Sequence, residues 1–151
     1  MRERFTQDMK DAMKAGDKRK LATVRLVQAA LKDKDIEARG AGKGPVSDED
    51  ILGLLQKMIK QRQESAGIYE QAGRAELAVQ EREEAAIIAS YLPKQMDEAE
   101  TRRAIEAAIA ETGAASMKDM GKVIGALRGQ YAGQMDFAKA SALVKEMLPK
   151  G

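Results

Sequence analysis

The sequence predicts an all-α protein made of two helical domains, and three observations carry that prediction. Between its prolines, at Pro45, Pro93 and Pro149, the chain is rich in Ala, Glu, Lys, Gln and Arg, which favour helices. Aromatic residues are few, so the core must be built from Leu, Ile, Val, Ala and nine Met. No segment alternates apolar and polar residues as a strand does. We expect an N-terminal four-helix domain with a long antiparallel hairpin over residues 1–93, and a small C-terminal three-helix domain over 94–151.

Local start and stop signals set the ends of the first four helices. Gly16 ends the first helix and Asp17 caps the second. Ser47 precedes three carboxylates at the start of the third, where the helix dipole is positive. Gly73 turns the chain and Pro93 stops the fourth. The expected ranges are about 2–15, 18–39, 48–71 and 74–92. On the second helix we expect an apolar stripe of Leu21, Val24, Leu26, Val27, Leu31 and Ile36.

The third and fourth helices are predicted to carry a charge pair in the seam of their hairpin. If the hairpin closes near Gly73, the helical registers place Arg62 opposite Glu84. A charge in a seam is tolerated mainly when it is paired. We therefore expect an Arg62–Glu84 ion pair. Glu81 and Glu84 together could do acid–base chemistry, but an arginine directly opposite favours a structural clamp.

Three further helices are predicted after a joint at residues 93–98. Asp97 and Glu100 form a capping pair for a helix over about 98–112. A second helix is expected over about 116–131, and Asp136 caps a last helix over about 137–148.

Residues 116–131, SMKDMGKVIGALRGQY, show the most informative pattern in the chain. Read at helical pitch, an apolar stripe consists of Met117, Met120, Ile124, Leu127 and Tyr131. The opposite face has almost no side chains and is edged by cations: Lys118, Lys122, Gly125 and Gly129, with Gly121 and Arg128 along one margin. Each glycine within a helix costs about 1 kcal/mol relative to alanine. Because this face has so few side chains, another segment or molecule could pack closely against the helix backbone.

Three interpretations of this face remain open. A second protein element could lie over the glycines, since glycine-spaced helices often serve close packing. A phosphate chain could lie there, because two lysines and an arginine border the bare backbone. The glycines could also have no role, if the ends of a short helix fray.

Composition excludes several classes of function. The chain has no Cys and no His, which rules out disulfides, thiolate or imidazole metal sites, a catalytic Cys and a Ser–His pair. It has no P-loop, no GxGxxG after a strand, no HExxH and no nucleophile elbow. We expect a helical binding module without metal, cofactor or catalytic residue. The longest apolar run, at 85–89, is too short to span a bilayer, and no signal peptide is visible, so a cytoplasmic protein is expected.

Charge is unevenly distributed along the chain, although the net charge is only +2. Residues 1–39 carry +4 and residues 116–151 carry +3, while 40–96 carry −2 and 97–115 carry −3. Two basic ends could attract an anionic polymer at separate points. Ordinary solvated charge balance explains the distribution equally well.

Three long segments together resemble the GatB/YqeY family. They are LATVRLVQAALKDKDIEAR (21–39), KMIKQRQESAGIYEQAGRAELAVQEREEAAIIASYLPKQM (57–96) and MGKVIGALRGQYAGQMDFAKASALVKEML (120–148). The resemblance implies a C-terminal domain similar to the tail of the B subunit of glutamine-dependent tRNA amidotransferase, which grips tRNA while a separate domain performs amide transfer. It carries over no catalytic residue. The positions that match the tail's glycine–lysine pattern are Gly121, Lys122, Gly125, Gly129, Gly133 and Asp136.

These observations lead to one favoured function and two alternatives. The favoured function is an accessory protein that binds tRNA or another structured RNA. Its expected contact residues are Lys118, Gly121, Lys122, Gly125, Arg128, Gly129, Gly133 and Lys139. One alternative is a protein-interaction module for an aminoacyl-tRNA synthetase or an amidotransferase component. The other is a carbon–nitrogen ligase that takes its amide from glutamine.

Overall fold

The computed structural model describes residues 1–148, and within them the all-α class is confirmed. These residues form seven α-helices and one 3-10 turn, with no strand. The helices are α1 (Arg2–Ala15), α2 (Lys18–Gly40), α3 (Asp48–Gln71), α4 (Ala75–Ala89), α5 (Glu98–Thr112), α6 (Met120–Tyr131) and α7 (Phe137–Met147), and the 3-10 turn (Met117–Asp119) precedes α6.

Capping side chains fix several helix starts. The Asp17 carboxylate accepts a hydrogen bond from the Lys20 backbone N–H at 3.1 Å at the start of α2. Ser47 and Asp50 form a reciprocal capping box at the start of α3, and Asp97 and Glu100 do so at α5. Each cap satisfies N–H groups that have no partner inside the helix.

Helix α4 ends at Ala89, three residues before the predicted end. The reason is Pro93, whose ring would clash with the carbonyl of residue 89 if the helix continued. Tyr91, which lies just beyond the end of α4, contacts α1 instead. The Tyr91 hydroxyl donates to Asp8 Oδ2 at 2.6 Å, and its ring packs edge-on against Phe5. Burial and the neighbouring carboxylate raise the pKa of Tyr91 above its ordinary value, so the hydroxyl remains a donor.

The chain divides by its contacts into two compact units, the first from Met1 to Leu92 and the second beginning at Pro93. In the first unit, α3 and α4 pack along each other, and α1 and α2 complete the core. That core consists of Phe5, Val24, Val27, Leu31, Ile51, Leu55, Met58, Ile88 and Tyr91. Leu26 and Ile36 are 44% and 56% exposed, so the apolar stripe of α2 is narrower than predicted.

One ion pair ties α1 to α2, and its carboxylate also holds the loop before α3. The Arg2 guanidinium donates twice to the Asp35 carboxylate, at 2.8 and 2.9 Å, and the Val46 backbone N–H donates to the same carboxylate at 3.1 Å. These contacts, led by the hydrogen bond from Arg2, lower the pKa of Asp35 to about 2.

In the second unit, α5, α6 and α7 pack around a small aliphatic core. Its buried members are Ala104, Ile105, Ala108, Val123, Leu127, Met135, Ala140, Val144 and Leu148. This packing fixes which side of α6 faces inward.

Candidate nucleic-acid interface

The inward side of α6 is set by two fully buried residues, Val123 and Leu127. Met120, Ile124 and Tyr131 are half-buried and pack against the same core. Residues at the opposite position on the helix, about 180° away, are therefore turned from the core.

Three glycines lie on that outward side without any covering segment. A Cβ atom added at Gly121, Gly125 or Gly129 would meet no heavy atom within 4 Å, apart from chain neighbours and the helix's own backbone. None of the three has a positive φ, so the backbone conformation does not require glycine there. Neither packing within the described residues nor backbone geometry explains these glycines. We name Gly121, Lys122, Gly125 and Gly129 the bare face of α6.

Lys122 supplies a largely solvent-exposed cation on the bare face. Its side chain is 71% exposed, and its Nζ lies 3.9 Å from Asp119 Oδ1. The Ala115 backbone N–H donates to the other oxygen of Asp119 at 2.9 Å. That hydrogen bond is the main reason why the pKa of Asp119 lies below its ordinary value, and Lys122 adds to the effect. Because the ion pair is long and exposed, it holds Lys122 only weakly.

Asp119 is a neighbour of the bare face that sequence reasoning missed. The available signal was its spacing, since residues three apart on a helix are neighbours and Asp119 precedes Lys122 by three. The carboxylate competes with any external anion for the lysine, so it weakens the site.

Arg128 is held at the edge of α6 by an aromatic ring. Its guanidinium carbon lies 5.5 Å from the centroid of the Phe137 ring, within the range of a cation–π contact. The residue remains exposed. Stacking of this kind orients a guanidinium while its N–H groups can still donate to an anion.

Lys118 lies outside α6, because residues 116–131 do not form the single helix that the sequence predicted. The single helix expected over 116–131 is divided, and Lys118 belongs to the 3-10 turn that precedes α6. A 3-10 turn has about 3.0 residues per turn rather than 3.6, so the angle counted at α-helical pitch does not apply. The turn forms because the Ser116 hydroxyl accepts the Lys118 backbone N–H at 3.3 Å and Asp119 binds Ala115. The lysine side chain is exposed beside the start of α6.

Gly133 is separate from the bare face. It is buried in the turn after α6 with a φ of 78°, a conformation that favours glycine. Its carbonyl accepts a hydrogen bond from Gln95 Nε2 at 2.5 Å, and the Gln134 carbonyl accepts the Met96 backbone N–H at 2.8 Å. Gly133 therefore has a structural explanation within the second unit.

Lys139 lies near the start of α7, outside α6. It lines an open groove of about 610 Å³ between the starts of α5 and α7, whose lining includes the carboxylates Asp97, Glu98 and Asp136. Asp136 caps α7 by accepting from the backbone N–H of Ala138 and of Lys139. None of the three α6 glycines lines this groove.

In the first unit, Arg62 and Glu84 meet in the seam between α3 and α4. Arg62 Nε donates to Glu84 Oε2 at 3.1 Å, and the side chains are 15% and 11% exposed. Arg62 also donates to the Met58 carbonyl at 3.2 Å. With these contacts the pair joins α3 to α4 across the hairpin, as predicted.

Residues 1–148 contain no group of three or more carboxylates that could hold a metal ion. None of their helices is long and apolar enough to cross a membrane.

Within the described residues the fold is all-helical, and three glycines of α6 are open at its surface. The family model described as Yqey-like protein matches residues 2–148. The chain belongs to the YqeY family.

Several fungal proteins are similar to the chain. Two of them, from Vanderwaltozyma polyspora and Eremothecium gossypii, are called "Altered inheritance of mitochondria protein 41, mitochondrial". Each is 33% identical over 86 residues, which is 57% of this chain and 45% of the relative. The protein of the same name from Clavispora lusitaniae is 33% identical over 94 residues, 60% of this chain and 52% of its own length. The matches therefore span about half the length of these relatives.

These relatives contradict the expected cytoplasmic location. All three carry "mitochondrial" in their names. The expectation rested on the lack of a visible signal peptide and of a membrane-spanning segment. The lack of a recognisable targeting signal is weak evidence about the compartment of a protein.

Proposed function

We propose that the second unit binds structured RNA, and tRNA in particular, through phosphate contacts along the bare face of α6. One observation carries the proposal: three glycines stand open to solvent beside Lys122 where neither packing nor backbone conformation requires them. The proposal takes residues 94–151 as a domain that folds by itself, which expression of that fragment tests.

The glycines and the cations play different parts in this proposal. Backbone N–H groups in the interior of an α-helix already donate to carbonyls four residues earlier, so Gly125 and Gly129 do not bind phosphate through them. Their contribution is close approach, because no Cβ keeps a sugar–phosphate chain from the helix surface. Lys118, Lys122 and Arg128 supply the charge. Such contacts give affinity and position with little sequence selectivity, so the RNA would be recognised by shape.

The resemblance to the amidotransferase tail supports tRNA as the RNA. In that resemblance the tail grips the tRNA body and has no part in the chemistry. The matching positions on α6 are Gly121, Lys122, Gly125 and Gly129. The match also includes Gly133 and Asp136, for which the structure gives a turn and a helix cap. Where tail-like sequences often carry a basic residue, this chain has Gln134.

A filter-binding titration of tRNA against duplex DNA of similar length tests the proposal. Lys118→Glu/Lys122→Glu should weaken tRNA binding at least tenfold, because it replaces two cations by two anions. The matched control is Lys57→Glu/Lys60→Glu, which makes the same charge change at exposed positions of α3. Equal tRNA affinity of the Lys118/Lys122 variant and the parent would show that the surface is misassigned.

A protein partner is the second candidate, favoured by the four-residue spacing of the three open glycines. That spacing would let a partner helix, from an aminoacyl-tRNA synthetase or an amidotransferase component, lie against the backbone. Gly125→Leu would abolish such a contact at any salt concentration, whereas phosphate binding depends steeply on salt. Carbon–nitrogen ligase activity has no supporting geometry here. Glutamine hydrolysis by the purified chain would reopen it.

A further inference from the structure

A row of exposed residues runs along the outer side of α2 in the first unit. Its members follow one another at alternating spacings of four and three, and every one is exposed: Lys18, Ala22, Arg25, Ala29, Lys32, Ile36 and Arg39. Every seventh residue is basic, and small or apolar residues stand between. We name these seven residues the basic stripe of α2.

The stripe is long and winds around the helix by only about 20° per heptad. Residues seven apart lie on nearly the same side of an α-helix and about 10.5 Å apart along its axis. From Lys18 to Arg39 the stripe extends about 31 Å. Ala22 and Ala29 have small side chains, so no bulky group projects between these cations. An extended polymer can therefore lie along the helix without a steric clash at these positions.

Three basic residues on or beside α2, all outside the stripe, are paired with carboxylates. Arg19 lies 3.2 Å from Glu83, Lys34 lies 3.6 Å from Glu37, and Arg2 binds Asp35. Within residues 1–148, no ion pair or side-chain hydrogen bond involves any of the four stripe cations. Carboxylates therefore lie close to α2, but within residues 1–148 none of them forms an ion pair with a stripe cation.

Carboxylates flank the stripe on both sides. Asp33 is exposed but lies about 70° around the helix from the centre of the stripe. Asp35 lies on the other flank, where Arg2 and Val46 bind its carboxylate, and it also interacts electrostatically with Arg39. Arg39 and Asp35 line one cleft together with Arg2 and Lys43, so three cations stand against one carboxylate there and this end of the stripe remains basic.

We propose that the basic stripe of α2 is a second contact surface for the phosphate backbone of RNA, independent of the bare face of α6. Regularly spaced, exposed cations over about 31 Å complement a linear polyanion. A membrane surface fits less well, because an interfacial helix needs large apolar residues next to its cations, and the stripe itself offers only Ile36. Its contacts are sequence-independent, since nothing on the stripe reads a base edge.

The test uses the full chain, with purified total tRNA as the RNA probe. Lys18→Gln/Arg25→Gln/Lys32→Gln/Arg39→Gln removes the four cations of the stripe. The control, Lys10→Gln/Lys57→Gln/Lys60→Gln/Lys145→Gln, removes four exposed cations elsewhere. Affinity is measured between 50 and 200 mM salt. Each lost phosphate contact reduces the slope of log affinity against log salt by about 0.7 to 0.9, so the stripe variant should lose about 3 in slope and the control less than 1.

The outcomes separate this proposal from the one for α6. A reduced slope in the stripe variant supports the stripe, even if Lys118→Glu/Lys122→Glu has no effect and the α6 proposal fails. An unchanged slope overturns the stripe proposal and leaves α6 standing if its own variant loses affinity. Equal losses in the stripe and control variants, or no tRNA binding by the parent, also overturn it. So does stripe-dependent binding to anionic vesicles without any stripe-dependent binding to tRNA.

Discussion

Replacing Gly125 by alanine should make the protein more stable while weakening its binding to RNA. Gly125 lies in the interior of α6, has no positive φ, and an added Cβ would meet nothing within 4 Å. The substitution therefore removes the helix penalty of glycine without a clash, a gain of about 0.8 to 1 kcal/mol. The same methyl group stands where a phosphate chain is proposed to lie.

The gain translates into a measurable shift in melting temperature. One kcal/mol corresponds to about 4 to 8 °C if the second unit melts alone, and to about 2 to 4 °C if the whole chain melts together. Gly121 and Gly129 lie in the first and last turns of α6, where helices fray, so alanine there should gain less.

Two other glycines provide controls for this measurement by thermal and urea unfolding. Gly53, on α3, is equally open and lacks a positive φ, so Gly53→Ala should stabilise without affecting RNA binding. Gly113 has a φ of 67° at the end of α5, and Gly113→Ala should cost about 1 kcal/mol or more. Loss of stability in Gly125→Ala would mean that something covers the bare face. A gain of stability with unchanged RNA affinity would remove the glycines from the binding surface.

Three further predictions concern the first unit, each measured by urea unfolding. Glu84→Ala leaves the nearly buried Arg62 without its partner and should lower the free energy of unfolding by about 3 kcal/mol. Arg62→Met/Glu84→Leu should recover most of that loss. Equal losses in the two variants would refute the clamp. The pKa of Asp35 is lowered to about 2, so its contribution is present above about pH 4 and is lost as the pH falls towards 2. The difference in stability between the parent and Asp35→Asn should shrink over that range; a constant difference would contradict it. Tyr91→Phe breaks the hydrogen bond to Asp8 and should cost about 1 to 2 kcal/mol, and no cost would mean that water replaces the bond.

The fold was predictable wherever one residue decides a boundary. Gly16, Ser47 and Asp97 lie at helix ends in the structure as the sequence predicted, because caps and stops act locally. The end of α4 was misplaced because a proline acts four residues back, on the carbonyl of Ala89, rather than at its own position. The width of the apolar stripe of α2 was overestimated. Periodicity alone does not show which of several adjacent apolar residues contact the neighbouring helices.

The candidate site was predictable only in part. The outward direction of Gly125 and Gly129 follows from the apolar period of α6, and both positions are open in the structure. The position of Lys118 did not follow, because Ser116 and Asp119 bind backbone groups and tighten the chain into a 3-10 turn. The buried turn at Gly133 depends on hydrogen bonds to residues 95 and 96, which a local pattern does not contain.

Backbone amide NMR during a titration with tRNA tests the central claim most directly. If RNA lies along the bare face of α6, the amide signals of Gly121, Gly125 and Gly129 should shift or broaden at the lowest RNA concentrations. The signal of Gly67, which is on α3 in the first unit, should stay in place. Perturbation that leaves the three α6 glycines unchanged would contradict the account.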